Sequence, residues 1–150
     1  MIYLGADHRG FKHKETLKAF LNEQGYEITD LGTDSEKSVD YPVIAEKVAR
    51  QVVEDLNNRG ILICGSSVGI CIAANKVKGI RAGSAWTAEV ARSARADDNV
   101  NILCLAADDI SPDDSKEIAR SFLNTSFRSE ERYKRRISQI EKIEKGNPNS

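Results

Sequence analysis

Apolar and polar positions alternate along this chain in two textures. Short runs rich in aliphatic and small residues, at Ile2 to Ala6, Glu27 to Leu31, Gly60 to Cys64, Arg81 to Ala85 and Asn101 to Leu105, are predicted strands. Between them lie longer stretches whose apolar residues recur near the helical period, as Phe11, Leu17, Phe20 and Leu21 do in the first, with Gly25 as its stop. The polar, aperiodic segment Gly32 to Asp40 reads as a loop, and Pro42 opens a second helix that runs to about Asn58. Val68 to Asn75 gives a short third helix, Thr87 to about Arg95 a fourth, and Ser111-Pro112 opens a fifth toward Asn124. Strands alternating with helices predict an α/β fold, a parallel sheet covered by helices.

The last segment, Ser129 to about Lys145, departs from this rhythm because no strand follows it. Tyr133, Ile137 and Ile140 make a narrow apolar stripe on a heavily charged helix, which needs an outside surface, on its own domain or on a partner subunit. Gly146 to Ser150 reads as a disordered tail.

Composition narrows the class. A chain of 150 residues is the size of one domain, here residues 1–150. A net charge of −1 gives no global pull toward nucleic acid or an acidic membrane surface. No apolar run approaches the roughly 20 residues of a membrane span, and Met1 leads into a strand rather than a signal sequence, so a cytoplasmic protein is expected. Cys64, Cys71 and Cys104 form no CxxC pair, and the two histidines, His8 and His13, lie far from them in sequence. Neither a disulfide framework nor a metal site is expected.

Chemistry concentrates where strands end, since open parallel sheets bind ligands beyond the carboxyl ends of their strands. Asp7 and His8 follow the first strand, and the run Cys64 to Gly69 follows the third. Asp97 to Asn99 precede the fifth strand at the far end of a helix and need not share that edge. Cys64 can simply finish a buried strand, the commonest fate of a free cysteine. It can also be a thiol facing backbone N–H groups at a helix start, with Gly65, Ser66, Ser67 and Gly69 shaping an anion pocket that lowers its pKa. Cys71 and Cys104 read as core. Nucleotide-binding glycine motifs are absent. His8 either caps or pairs locally with Asp7, or meets a phosphate. Arg132 and Arg136 share a helix face with Arg128 one turn earlier, either as a solvated stripe paired to Glu130 and Glu131 or, on a helix that crosses to another subunit, as a phosphate clamp.

Taken together, GADHRGF at 5–11, DYP at 40–42, ILICGSSVGICIAANK at 61–76, GIRA at 79–82 and EERYKRRI at 130–137 resemble the type B ribose-5-phosphate isomerase family, which also holds galactose-6-phosphate and allose-6-phosphate isomerases. The resemblance covers nearly the whole chain in one order. It implies a Rossmann-like three-layer α/β/α sandwich of about five parallel strands with an extra C-terminal helix. It also implies a homodimer, able to pair into a tetramer, whose sites borrow residues across the interface. The implied reaction is a cofactor-free interconversion of an aldose phosphate and a ketose phosphate through an enediolate, in the pentose phosphate pathway. By position, Cys64 matches the base and Ser66 its assistant. The turn Gly65, Ser66, Ser67, Val68 and Gly69 matches the enediolate hole, Asp7, His8 and Tyr41 substrate contacts, and Arg132 and Arg136 the phosphate pair.

Five positions depart from the family pattern. Asp97 stands for the ring-opening histidine, Asp98 for an asparagine that holds the enediolate, Asp108 for a phosphate-binding arginine, Tyr133 for a histidine and Ser67 for a glycine. A carboxylate at Asp97 can accept the ring hydroxyl proton, whereas an ionised Asp98 beside an enediolate is repulsive unless protonated or turned away. The resemblance implies ribose 5-phosphate isomerisation, and these departures make a changed substrate an alternative. The alternatives are another five- or six-carbon phosphosugar, of the allose or galactose 6-phosphate type, or a non-catalytic sugar-phosphate binder.

Overall fold

The computed structural model describes residues 1–146. Five strands, β1 (Ile2–Ala6), β2 (Ile28–Asp30), β3 (Arg59–Cys64), β4 (Ala82–Ser84) and β5 (Ile102–Ala106), form one sheet in the order β2-β1-β3-β5-β4. Every neighbouring pair is parallel. Six helices accompany them: α1 (Phe11–Glu23), α2 (Tyr41–Val52), α3 (Val68–Ala74), α4 (Ala88–Asp98), α5 (Pro112–Leu123) and α6 (Glu131–Glu144).

Side-chain alternation along the central strands builds the two core layers. Ile61 and Ile63 of β3 join Leu103 and Leu105 of β5 beneath α1, α4 and α5, where Leu17, Leu21, Ala91, Ile118 and Phe122 are buried. Leu62, Cys64, Ile102 and Cys104 face the other way and meet Ile44, Val48, Val52, Ile70 and Ala74 of α2 and α3. The result is the three-layer α/β/α sandwich expected from the sequence. Because both faces are covered, β3 and β5 read as continuous apolar runs.

Local signals decide the element ends. Gly25 at φ +82° takes the left-handed position just beyond α1. Thr87 and Ser111 cap α4 and α5 by accepting from the N–H groups of Val90 and Asp114. The second helix stops at Val52 rather than near Asn58. The reason is polar competition for the backbone: Asp55 Oδ1 accepts from Asn57 N–H at 2.7 Å and Asn58 Nδ2 donates to Gln51 O at 2.9 Å, closing the helix end with side chains.

The charged α6 lies on its own chain through part of its stripe. Tyr133 and Ile137 are buried, and the Glu144 carboxylate accepts from Gly79 N–H at 3.0 and 3.1 Å. Ile140 and Ile143 remain exposed at 46% and 66%. Of the tail predicted from Gly146 onward, residues 147–150 lie outside the described residues.

Candidate active site

The strand order reverses beside β1: the chain passes from β1 to β2 on one side and then returns to place β3 on the other. Such a switch point leaves a crevice at the carboxyl ends of the two strands. Asp7 and His8 leave β1 there, and the turn after Cys64 leaves β3 beside them, in register Ala6 to Ile63.

Asp7 is buried and shapes its own turn, its Oδ1 accepting from Arg9 N–H at 2.9 Å and Gly10 N–H at 3.2 Å. His8 Nδ1 accepts from Val39 N–H at 3.3 Å, which ties the Gly32–Asp40 loop to the crevice and fixes Nε2 as the ring's protonated nitrogen when the imidazole is neutral. Gly10 fits because a Cβ there would lie 2.5 Å from Ile63 O.

Cys64 is 4% exposed and completes the apolar layer under α2 and α3 while standing at the rim of the turn. Its carbonyl accepts from Ala107 N–H at 2.9 Å, which locks it to the end of β5. Ser66 is exposed and its Oγ accepts from Val68 N–H at 3.3 Å. Ser67 is buried and left-handed at φ +66°, and its Oγ sits 2.9 Å from Ser84 Oγ at the end of β4. Val68 is 58% exposed at the start of α3. Gly69 gives Tyr41 its place, since a Cβ at 69 would approach the Tyr41 ring to 2.6 Å.

Of the other two cysteines, Cys104 is core as expected and Cys71 departs from that reading. Cys104 is fully buried, but Cys71 is half-buried and its Sγ donates to Ala82 O at 3.3 Å. A hydrogen bond from Cys104, aided by Ser84 and opposed by burial, pulls the Cys71 thiol down from 9.0 to about 7, while Cys104 is pushed well up.

The remaining predicted residues gather at the opposite edge. Because α4 runs back antiparallel to the strands, Asp97 and Asp98 lie where β5 begins, and Cys64 lies where β3 ends. Between those edges the five residues of β5 span roughly 16 Å. Arg81 and Arg95 brace the end of α4: Arg81 Nε donates to Asn99 O at 3.0 Å, and Arg95 Nη1 donates to Val100 O at 3.0 Å and to Asn99 Oδ1. Burial, then repulsion from Arg59 and Arg81, lowers the Arg95 pKa to about 10. Asp98 is exposed. Asp97 forms an ion pair with Arg128 Nε at 3.1 Å, in a geometry that is not that of a hydrogen bond.

On α6, Tyr133 collects three guanidinium groups. Those of Arg128, Arg132 and Arg136 lie 5.5, 4.8 and 5.9 Å from the centre of its ring, and its hydroxyl accepts from Arg128 and Arg132 at 3.2 Å each. The same hydroxyl raises the Arg132 pKa further. One chain thus brings Asp7, His8, Tyr41 and the Cys64 turn together, and separately brings Asp97, Arg132 and Arg136 together. It does not join the two sets. Among the described residues no group of His, Cys, Asp and Glu side chains is arranged to hold a metal ion, and no helix is long and apolar enough to cross a membrane.

Against known proteins, the family model described as Ribose/Galactose Isomerase matches residues 2–140. This chain belongs to the ribose/galactose isomerase family. Members of it include the ribose-5-phosphate isomerase B of Escherichia coli (strain K12), 37% identical over 143 residues that span 95% of each chain. The ribose-5-phosphate isomerase B structure from Clostridium thermocellum is 40% identical, covers 97% of each chain and superposes with a TM-score of 0.92. That of the Mycoplasma genitalium enzyme, solved with bound ribulose-5-phosphate, is 36% identical with a TM-score of 0.92, covering 96% of this chain and 95% of its own. A D-erythrulose-4-phosphate isomerase of Pectobacterium atrosepticum is 35% identical over 127 residues, 84% of each chain. Like these relatives, the chain is a sugar-phosphate isomerase of the aldose–ketose type.

The sequence reading of this family member missed one residue at the crevice. Arg9 lies against Gly65 and pairs with Asp108. The available signal was the acid at Asp108, whose partner had to come from a neighbouring strand end.

Proposed function

We propose that the chain interconverts ribose 5-phosphate and ribulose 5-phosphate through an enediolate, without a cofactor, with residues 1–150 acting as one domain. Cys64 takes the proton from C2 and returns one at C1, assisted by Ser66. The N–H groups and hydroxyls of Gly65, Ser66, Ser67, Val68 and Gly69 hold the enediolate oxygen, while Asp7, His8 and Tyr41 contact the sugar. A proton beside a carbonyl becomes removable when fixed donors stabilise the oxyanion it leaves, so thiol and turn act as one device. Asp97 opens the sugar ring, Asp98 contacts the substrate either protonated or with its charge turned away from the enediolate, and Arg132 and Arg136 hold the phosphate.

The observation that carries this reading is the position of Cys64, on the central strand at the switch-point crevice, backed by a glycine- and serine-rich turn. Turnover of ribose 5-phosphate by the wild type and its loss in Cys64→Ala are the expected results. An equally active alanine variant removes Cys64 from the mechanism. Sugar-phosphate binding without turnover, even of open-chain substrate, replaces the enzyme reading with that of a binding protein. The erythrulose-phosphate relative makes a panel of four- to six-carbon phosphosugars part of the same assay, with ribose 5-phosphate preferred.

The working unit is a homodimer in this reading. Its support is the separation of Asp97, Arg132 and Arg136 from Cys64 across the sheet, together with Val68, Ile72 and Trp86 exposed at 58%, 57% and 63%. Neither Cys64→Ala nor Arg132→Gln alone should turn over substrate, but mixing the two chains should restore part of the activity. No restoration, with exchange verified, counts against a shared site. A cytoplasmic setting belongs to the same proposal, supported by three free thiols.

A further inference from the structure

Arg9 follows His8 in the turn after β1, and its guanidinium occupies the space beside the Cα of Gly65. A Cβ on Gly65 would lie 2.2 Å from Arg9 Cζ and 2.5 Å from Nε, so the guanidinium takes the space that a side chain at the first residue of the Cys64 turn would occupy. The same guanidinium donates through Nη2 to Asp108 Oδ2. Asp108 is itself tied to the turn, its N–H donating to Gly65 O at 3.0 Å beside the bond from Ala107 N–H to Cys64 O. At its other end, Arg9 N–H is held by Asp7 Oδ1. The cation is therefore fixed at backbone and head, next to His8, on the edge where the crevice opens.

Folding gives little reason for this arrangement. The two side chains are 53% and 45% exposed, and ion pairs that wet contribute little stability. A guanidinium offers five N–H donors in a planar fork, and Asp108 engages only part of it. The rest is free to meet an anion arriving at the Cys64 turn.

We propose that Arg9 binds the phosphate of the substrate at the mouth of the crevice, and that Asp108 is its positioning residue. The proposal rests on the isomerase reading for the identity of the ligand. Asp108 holds the fork in place but also carries a charge that repels phosphate. Removing Arg9 alone therefore leaves an uncompensated carboxylate in the phosphate's path, and removing both charges relieves it.

Steady-state kinetics with ribose 5-phosphate, and calorimetric titration with inorganic phosphate, test this on wild type, Arg9→Gln, Arg9→Lys, Asp108→Asn and Arg9→Gln/Asp108→Asn. Circular dichroism melts check that each variant folds. In Arg9→Gln, KM and the phosphate Kd should each rise about tenfold, as expected for a lost charge-assisted bond, with kcat within threefold. Arg9→Lys should recover part of the loss, and the double variant should bind more tightly than Arg9→Gln. A KM and Kd within twofold of wild type in Arg9→Gln overturn the proposal, as does a fall in kcat at constant KM. A double variant no better than Arg9→Gln removes Asp108 from it. If wild type turns over no sugar phosphate, the isomerase reading fails, and the phosphate titration alone then decides for or against Arg9.

Discussion

Replacing Asp30 by asparagine strips the main counter-charge from a lysine that has no route to solvent. The Lys14 side chain is 1% exposed, and its Nζ donates to Asp30 Oδ2 and to Glu15 Oε1, the latter at 2.8 Å. Removing one partner of a buried pair costs about 3–5 kcal/mol, and the surviving Glu15 contact sets the expectation at the low end, about 3 kcal/mol. At this chain length each kcal/mol moves Tm by about 2–4 °C, so Asp30→Asn should lower it by about 6–12 °C. The reverse deletion is milder. In Lys14→Met the carboxylate is 23% exposed and keeps Lys18 Nζ at 2.9 Å and Gly32 N–H at 3.0 Å, which points to a loss of about 1 kcal/mol.

The pH dependence has a definite sign. Burial pushes the Asp30 pKa up, but hydrogen bonds from Lys14, Lys18 and Gly32 N–H outweigh it and hold the carboxyl below its ordinary 3.8. Such a group adds stability that is complete above pH 3.8 and fades as the pH falls through the lowered value. Urea unfolding followed by circular dichroism should thus show wild type and Asp30→Asn well apart at pH 7 and converging in strong acid. A loss under about 1 kcal/mol at pH 7, or a Lys14→Met variant less stable than Asp30→Asn, refutes the reasoning.

Gly10→Ala sets a Cβ 2.5 Å from Ile63 O, where ordinary contacts begin near 3.4 Å, so backbone next to Cys64 must move. The expected cost is about 3 kcal/mol in urea unfolding, with activity down about tenfold, and a neutral substitution would show that the helix is not seated on β3 as described. At Ser67 a left-handed side chain costs about 1–2 kcal/mol while its bond to Ser84 returns about 1 kcal/mol. Ser67→Ala should therefore be less stable than Ser67→Gly in the same assay, and the opposite order contradicts the assigned conformation. Cys71, with its pKa near 7, should alkylate faster than Cys64 and Cys104, its rate rising between about pH 6 and 8 when followed by peptide mass spectrometry. Equal labelling of all three thiols would count against the Cys104 bond.

Most of the fold was legible because local signals agreed with long-range ones. The run Ile61 to Cys64 is apolar at every position, which only a strand covered on both faces requires, and Thr87 and Ser111 announce helices that begin where those caps act. The helix after Pro42 ends at Val52, short of the Asn58 predicted from sequence, because the side-chain bonds that end it come from Asp55 and Asn58. The place of Cys64 at the end of β3, and of its turn at the start of α3, was legible from residue order alone. What composition and period could not reveal were pairings between distant elements. Lys14 looks like any surface lysine until Asp30 arrives from β2, Arg9 looks solvated until Asp108 arrives from the end of β5, and Asp97 becomes an arginine partner only when α6 lies near it.

The antiparallel return of α4 has a kinetic consequence. The length of the sheet separates Asp97, at the start of β5, from the Cys64 thiol of the same chain, at the end of β3. Should Asp97 serve the neighbouring chain, turnover would become second order in protein once dilution dissociates the pairs. Specific activity would then report on the degree of association, and a chain defective in one half would still be useful to a companion defective in the other.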